Sequence, residues 1–553
     1  KTMLFSKLAE YFEKLEQTSS RLVLIDILAE LFSKVKSSEI AKVVYLIQGR
    51  VAPFYEPIEM GMSEKLVAQS IARAFGVERE EVLKEYGRVG DLGKVAERLS
   101  SKSKVQSSKL RVEDIFNILA EIAGITGEGT VEKKLELLSG LLKQMDPVSA
   151  KHLVRIPLGT SRLGIGDPTV LDGFALAKLG DRKNRKELEG AYNKTSDLGL
   201  IGEVLWEKGL TGARKLNVTV GRPIRPQLAE RLPDAKTVLE KFNGEAHVQQ
   251  KFDGFRVQIH KNDTEIRLFS RNLEETTAMF PDIIEGALKQ IKAKTAILDS
   301  EALAFNPQSD EFLPFQETTK RRRKYGIEEM SKSLPLKAFV FDIMYLNGKS
   351  LIDLPLRARM EKLKKVITGD AVLIAQSGEF TKSEKRIIEL FDDAITKGLE
   401  GLVCKRPDSK YEAGARNFNW VKLKRHSAGE LKDTIDCVIL GYIFGRGKRA
   451  GFGAGSLLVG VYDESKDEFV TVSKIGTGLT DEEWREIHRR ADKIKVDHKP
   501  ARVNSILTPS VWIEPEIVIE VLADEITRSP VHTAGKVGPP AGGEPGYALR
   551  FPR

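Results

Sequence analysis

The sequence predicts a multidomain chain in three parts: an all-α region, an α+β region built on antiparallel sheets, and a small β-barrel. Three observations carry that reading. Apolar residues recur at helical spacing through the first two hundred residues. The segment Gly221-Arg222-Pro223-Ile224-Arg225-Pro226 ends that pattern. Short alternating segments follow, and their texture changes again near Thr434. At about 150 residues per domain, a chain of 553 residues holds three or four.

Leu4, Leu8, Tyr11, Phe12 and Leu15 mark a first helix, and Leu24, Ile27, Leu28, Leu31 and Phe32 a second. Leu135, Leu138, Leu141 and Leu142 place a charged helix over residues 131–145. Residues 100–108 are Ser/Lys-rich without a period and read as an exposed loop. Residues 221–226 cannot continue a helix, because proline lacks the amide and restricts the residue before it. They read as a linker, with flexible junctions there and near Ser427. Beyond it, residues 256–260 and 265–269 predict an antiparallel hairpin. Residues 296–305, 338–345 and 419–424 read as strands, and 383–396 as a helix. From Thr434 onward, residues 436–442, 456–462, 469–474 and 511–522 are strands, with a helix over 481–492. That set suits a small barrel.

Lys plus Arg number 88 against 79 Asp plus Glu, a net charge of +9, which fits a nucleic-acid partner and an ordinary enzyme alike. With 41% hydrophobic residues the chain is not a disordered polymer. No apolar run approaches the roughly 18 residues that cross a bilayer, and the N-terminus lacks an apolar leader. A soluble, cytoplasmic protein without membrane contact is expected. Cys404 and Cys437 are too few for a disulfide scaffold or a cysteine zinc site.

The first chemical signal is Lys251-Phe252-Asp253-Gly254-Phe255-Arg256. Its lysine ends one strand, Asp-Gly makes the turn and the arginine opens the next strand. A lysine is a nucleophile only when deprotonated, which burial and a cationic neighbour favour. Ser270-Arg271-Asn272 ends the following strand. Glu301 interrupts an otherwise apolar strand, and Glu400 precedes another at Gly401-Leu402-Val403-Cys404-Lys405. Trp420-Val421-Lys422-Leu423-Lys424 puts two lysines on one strand face, because side chains alternate. Taken singly, each has a structural explanation. Taken together they describe a cleft with a nucleophilic lysine, carboxylates for a hard cation, and cations for phosphates. No Walker-type loop is present, so a P-loop NTPase is not expected.

This ordered set resembles the motifs of covalent nucleotidyltransferases. Along the whole chain it resembles the ATP-dependent DNA ligases of the archaeal/eukaryotic DNA ligase I type. Lys251 to Arg256 matches motif I, Ser270 to Asn272 motif Ia, and Glu301 motif III. Phe341-Asp342-Ile343-Met344-Tyr345-Leu346-Asn347-Gly348 matches motif IIIa, Glu400 to Lys405 motif IV, and Trp420 to Lys424 motif V. Gly90-Asp91-Leu92-Gly93, Thr126-Gly127-Glu128-Gly129 and Arg162-Leu163-Gly164-Ile165-Gly166-Asp167 resemble the family's helical DNA-binding domain. The resemblance implies an all-α DNA-binding domain over residues 1–220 and an α+β adenylation (nucleotidyltransferase) domain over 221–427. A β-barrel OB-fold domain then spans 428–553.

The implied activity is sealing of 5′-phosphate/3′-hydroxyl nicks in duplex DNA, in replication, repair and recombination. Lys251 would take AMP from ATP, pass it to the nick 5′-phosphate, and the 3′-hydroxyl would displace it. Phe341 and Val403 would pack on adenine. Glu301 would contact the ribose and, with Glu400, hold Mg2+, for which Mn2+ could substitute. Arg256 and Arg271 would bind the nucleotide and the nick phosphate, and Lys422 and Lys424 would neutralise phosphates. Gln249 stands where the family carries an acidic residue beside the adenine. Gly127, Gly129, Arg162, Gly164 and Gly166 would meet the DNA backbone, since glycine lets amides approach a phosphate.

Residues 547–553 resemble the start of motif VI, and Arg550 is its one member assigned to the nucleotide. In the family an Asp-Lys pair follows. A molecule ending at Arg553 would be impaired in lysine adenylation more than in sealing pre-adenylated DNA. Relatives often dock on a sliding clamp (PCNA) through a Gln-led motif ending in aromatics. Gln106-Ser107-Ser108-Lys109-Leu110 occupies the comparable loop without them, which leaves clamp binding open. A monomer is expected. The basic run Lys320-Arg321-Arg322-Arg323-Lys324 reads as an exposed face or a DNA contact, and residues 445–455 as a Gly-rich basic loop. An RNA ligase or capping guanylyltransferase would not explain the helical region, and an NAD-dependent ligase would bring a cysteine zinc module. A non-catalytic scaffold would not need Lys251.

Overall fold

The helical periodicity of the N-terminal region is realised as twelve helices among the described residues, from Phe5–Glu16 to Leu198–Lys215. The computed structural model describes residues 2–103, 105, 107–306, 311–313, 315–323, 325–396, 399–424, 434–444, 453–476, 478–523, 525–529, 531–538, 544–550 and 552. They form two compact units, Lys1–Leu423 and Lys424–Arg553.

The apolar stripes read from the sequence meet in one helical core. Leu8, Phe12 and Leu15 of Phe5–Glu16 and Leu28 and Phe32 of Arg21–Ser33 are buried in it. Phe32 packs on Phe174 with ring centroids 4.8 Å apart. The helix expected over residues 131–145 runs Thr130–Leu142. Buried ion pairs also join these helices. Arg155 donates to Glu16 at 2.8 and 2.9 Å and to Asp91 at 2.5 Å, while Lys151 pairs with Glu13. Asp91 also caps the helix Leu92–Ser100 by accepting from Gly93 N at 2.9 Å.

Twelve strands follow in the first unit: β1 (Leu228–Arg231), β2 (Ala246–Lys251), β3 (Phe255–Asn262), β4 (Glu265–Ser270), β5 (Thr295–Asn306), β6 (Glu311–Phe312), β7 (Leu336–Leu346), β8 (Lys349–Ser350), β9 (Leu373–Ala375), β10 (Glu379–Thr381), β11 (Gly401–Lys405) and β12 (Arg416–Lys424). One sheet has the order β1-β12-β11-β2-β10. The other runs β4-β3-β5-β7-β8, with β6 on β5 and β9 on β7. β1 pairs with β12 and β9 with β7 in parallel, whereas β2 pairs antiparallel with β10 and β11, and β4, β3, β5, β7 and β8 pair antiparallel in turn, so the sheets are mixed rather than purely antiparallel. β1 and β9 are edge strands reached by crossover connections, which parallel pairing requires. The expected hairpin is β3–β4, and its turn tightens onto Asp263 and Thr264. Asp263 takes up φ 57°.

The linker has no regular structure, yet it is pinned rather than loose. Gly221 N donates to His260 Nδ1 at 2.9 Å, and Ile224 exchanges two hydrogen bonds with Gln258 at 2.8 and 2.9 Å. Gln227 O accepts from Arg256 at 2.8 Å. Arg256, Gln258 and His260 share one face of β3 by strand alternation. Burial pushes the His260 imidazole down to about 3, so the ring is neutral and Nδ1 can accept. On its other side the linker reaches the helices, where Arg225 donates to Asp167 at 2.8 Å and stacks on Tyr192 at 4.5 Å. The junction near Ser427 lies outside the described residues.

In the second unit a curled, half-barrel sheet is consistent with the OB-fold. Its strands are β13 (Ile435–Ile443), β14 (Ser456–Asp463), β15 (Glu468–Ile475), β16 (Lys495–Val496), β17 (Val503–Asn504), β18 (Val511–Ile513) and β19 (Val518–Val521). The ladder β20 (Glu525–Ser529) with β21 (Gly546–Arg550) stands apart, and the helix Asp481–Lys493 matches expectation. The single strand expected over 511–522 is two strands. Pro515 cannot donate to a ladder, and β18 and β19 pair with different stretches of β13 on either side of it.

Candidate active site

The two sheets of the first unit carry the predicted residues on facing strands. β2 and β11 pair with Lys251 opposite Gly401 and Gln249 opposite Val403. β3 and β5 pair with Arg256 opposite Glu301. Lys251 ends β2. Its carbonyl accepts from Glu400 N at 3.2 Å, and its amine pairs with the Glu400 carboxylate. Phe252 stacks on Phe339 at 3.8 Å, which anchors the residue next to the lysine.

Close backbone approach explains the two glycines beside these groups. A Cβ on Gly254 would lie 2.2 Å from Ala302 O, and one on Gly401 2.1 Å from Leu423 O. Any larger residue would push neighbouring strands of a sheet apart. The tight turn brings Gly254 N to Glu301 Oε1 at 3.1 Å. Burial pushes the Glu301 carboxyl up to about 7, against the pull of Lys251 and Arg256. Carboxylate oxygens are the donor type a hard cation takes, and Glu301 and Glu400 both offer them.

Arg256 does not project freely into the cleft. It makes a bidentate pair with Asp299 at 3.0 and 2.6 Å, and the Tyr411 hydroxyl donates to the same carboxylate at 2.9 Å. Asp299 sits two residues before Glu301 on one face of β5, so alternation could have flagged it. Tyr411 and Gln227 carry no local signal.

Phe341 is set by a bulge. Across β5 and β7, Asp299 pairs with Asp342 but Ser300 pairs with Val340, so Phe341 is the extra residue. Its ring meets Trp420 edge-on at 6.0 Å. Lys405, fully buried, lies 4.0 Å from the Trp420 ring centroid and 4.8 Å from that of Phe341. Burial lowers the Lys405 amine to about 7, with Asp342 opposing.

Lys422 and Lys424 alternate on β12 with buried Val421 and Leu423, as expected. Arg271 is exposed just past β4 and lines a cavity of about 660 Å3 with Arg50, Ser161, Asp167 and Arg225. Arg162 donates to Gly90 O at 2.9 Å and lies 3.4 Å from Asp91, joining two of the predicted segments. Gly127 and Gly129 lie before the helix Thr130–Leu142, and Gly164 and Gly166 before Asp167–Leu179. Arg550 pairs through its backbone with Glu525. Its side chain, Gln106, Lys324 and residues 445–452 lie outside the described set. The basic run is not one exposed face: Arg321 is buried, bidentate on Asp282 at 2.8 and 2.9 Å. Arg322 reaches Glu274 at 2.6 Å.

Three family models match this chain in order. "DNA ligase N terminus" covers residues 4–175, "ATP dependent DNA ligase domain" 226–424, and "ATP dependent DNA ligase C terminal region" 450–553. The chain belongs to the ATP-dependent DNA ligase family. A probable DNA ligase of Dictyoglomus turgidum is 49% identical over 551 residues, covering 100% of this chain and 93% of that protein. DNA ligase 2 of Thermofilum pendens is 41% identical over 99% of this chain and 93% of its own length. The DNA ligase of Nitrosopumilus maritimus is 41% identical over 100% and 94%. The solved ligase structure titled "Pmar-Lig_Pre." shares the fold, with a TM-score of 0.55 at 16% identity, over 99% of this chain and 98% of that one. The enzyme is thus an ATP-dependent DNA ligase, which seals nicks by way of ATP-dependent adenylation. No helix of the described residues is long and apolar enough to cross a membrane.

Proposed function

We propose that this ligase works through Lys251. Nζ attacks the α-phosphate of ATP, a P–N bond forms, the bond to pyrophosphate breaks, and the amine sheds a proton. AMP then moves to the 5′-phosphate of a DNA nick, and the 3′-hydroxyl displaces it. The observation that carries this reading is that Lys251 pairs with Glu400 and its charge also acts on Glu301, whose strand belongs to the other sheet. The lysine must leave its pair with Glu400 before it attacks.

Phe341 and Val403 flank the adenine, and Glu301 binds the ribose. Arg256, rigid on Asp299, and Arg271 meet nucleotide and nick phosphates. Lys422 and Lys424 neutralise phosphate charge. Glu301 and Glu400 would hold Mg2+, or Mn2+ in its place. That ion, when bound, supplies charge neutralisation at the phosphates. Gly127, Gly129, Arg162, Gly164 and Gly166 approach the DNA backbone, reading shape rather than bases. The domains are residues 1–220, 221–427 and 428–553, in a monomer serving replication, repair and recombination.

Intact mass after incubation with ATP and Mg2+ tests the reading. A gain of one AMP on the unaltered protein and none on Lys251→Ala is the expected result. If neither gains AMP, pre-adenylated nicked DNA separates the causes: sealing would place the failure in the first step alone, and no sealing would sink the reading of this cleft as the sealing site.

A further inference from the structure

The bulge in β7 leaves a backbone problem that two side chains solve. As the extra residue, Phe341 has no partner across the ladder, so its carbonyl needs a donor from elsewhere. Gln249 Nε2 donates to Phe341 O at 3.1 Å, and Lys405 Nζ donates to the same oxygen at 3.1 Å. Gln249 Nε2 also donates to Gln376 O at 2.6 Å. Both strong partners of this amide are carbonyl oxygens, so its nitrogen must face them. Gln376 closes the frame, donating from its backbone N to Val340 O at 2.8 Å and from Nε2 to Gln250 O at 2.7 Å. Gln249 and Lys405 lie on neighbouring strands of the lysine-bearing sheet, whereas Phe341 lies on the other.

We propose that Gln249 and Lys405 are positioning residues that hold the Phe341 carbonyl from the facing sheet and so set the ring on which adenine packs. This rests on the reading of Phe341 as an adenine contact. It gives Gln249 a task that an acid cannot perform: a carboxylate there would turn oxygen toward two carbonyl oxygens. Lys405 adds a second constraint, because its amine lies against the rings of both Phe341 and Trp420.

The test is lysyl-AMP formation by the full chain, with KM for ATP and kcat measured separately, alongside thermal melting. Gln249→Glu and Lys405→Met each raise KM by about 10-fold, the scale of one lost buried hydrogen bond, and change kcat little. Gln249→Met, which removes the donor without adding charge, shifts KM in the same direction. Phe341→Leu, alone and combined with Lys405→Met, then separates a positioning role from a structural one. Once the ring is gone, losing Lys405 raises KM no further. Additive effects in that cycle overturn the inference, as does a fall in melting temperature and active fraction with KM unmoved. If Phe341→Leu alone leaves KM unchanged, the adenine reading of Phe341 fails instead.

Discussion

The Arg155 cluster of the helical region and the nucleotide cleft both bury charge, and they settle it in opposite ways. Burial alone would raise the carboxyl of Asp91, but the hydrogen bonds and charge of Arg155 bring it below its usual value. Glu16 follows the same balance through Arg155, and Glu13 through Lys151. In the cleft burial prevails, lifting Glu301 to about 7 and lowering Lys405 to about 7. Yet the pairs that frame the cleft are settled like the helical ones. Burial would raise Asp342, but Arg359 and Lys405 hold it low. Asp91, Glu16, Glu13 and Asp342 are held low by a cation beside them, whereas Glu301 and Lys405, like Asp197 of the helical region, keep the shift that burial imposes.

The contrast breaks most sharply at the lysine. Lys251→Ala should lower lysyl-AMP formation by roughly 10^4-fold or more, as nucleophile removal does elsewhere; mass spectrometry reads it directly. Glu301→Gln should slow adenylation by about 100-fold, the scale of losing one oriented charge-stabilising group. In the helical region the order reverses. Asp91→Ala leaves Arg155 with Glu16 as its partner, removes the cap on Gly93 N, and should cost about 3 kcal/mol in urea unfolding.

The pH dependence separates the regions further. Folded Glu301 keeps its proton up to about pH 7, against an ordinary value of 4.5. The folded state binds more protons between those values, so this group lowers stability as pH rises through that window. The melting temperature of Glu301→Gln should equal the parent's below about pH 4.5 and exceed it increasingly toward about pH 7. If the two melting curves stay parallel across that range, the carboxyl is not desolvated as described. The smallest effect belongs to the surface. Arg322→Ala breaks only an exposed pair with Glu274 and should cost under about 1 kcal/mol. Arg321→Ala, one residue earlier but buried on Asp282, should approach about 3–5 kcal/mol in the same assay.

Much of this was legible from local pattern. Helical spacing placed Phe5–Glu16 and Arg21–Ser33, alternation placed β3, β4 and the face of Lys422 and Lys424, and six short motifs located the cleft. Reading fell short where one residue's role depends on distant partners. Gly221 looked like a free joint because its glycine and prolines are visible locally, whereas the pins on His260 and Gln258 are not. Arg321 looked like part of a basic face, because its partner Asp282 lies far along the chain. The break at Pro515 was readable, and a single strand was expected through it.

The sequence by itself determined the family and the order of its three regions, and it singled out Lys251 as the lysine proposed to react, since each rests on residue types at short fixed spacings. Only the tertiary structure decided how those groups are held. The bulge at Phe341 comes from the register between strands some forty residues apart. The lock on Arg256 needs Asp299, Tyr411 and Gln227 from three separate segments. Hydrogen bonding and desolvation act through space, and no spacing along the chain encodes them.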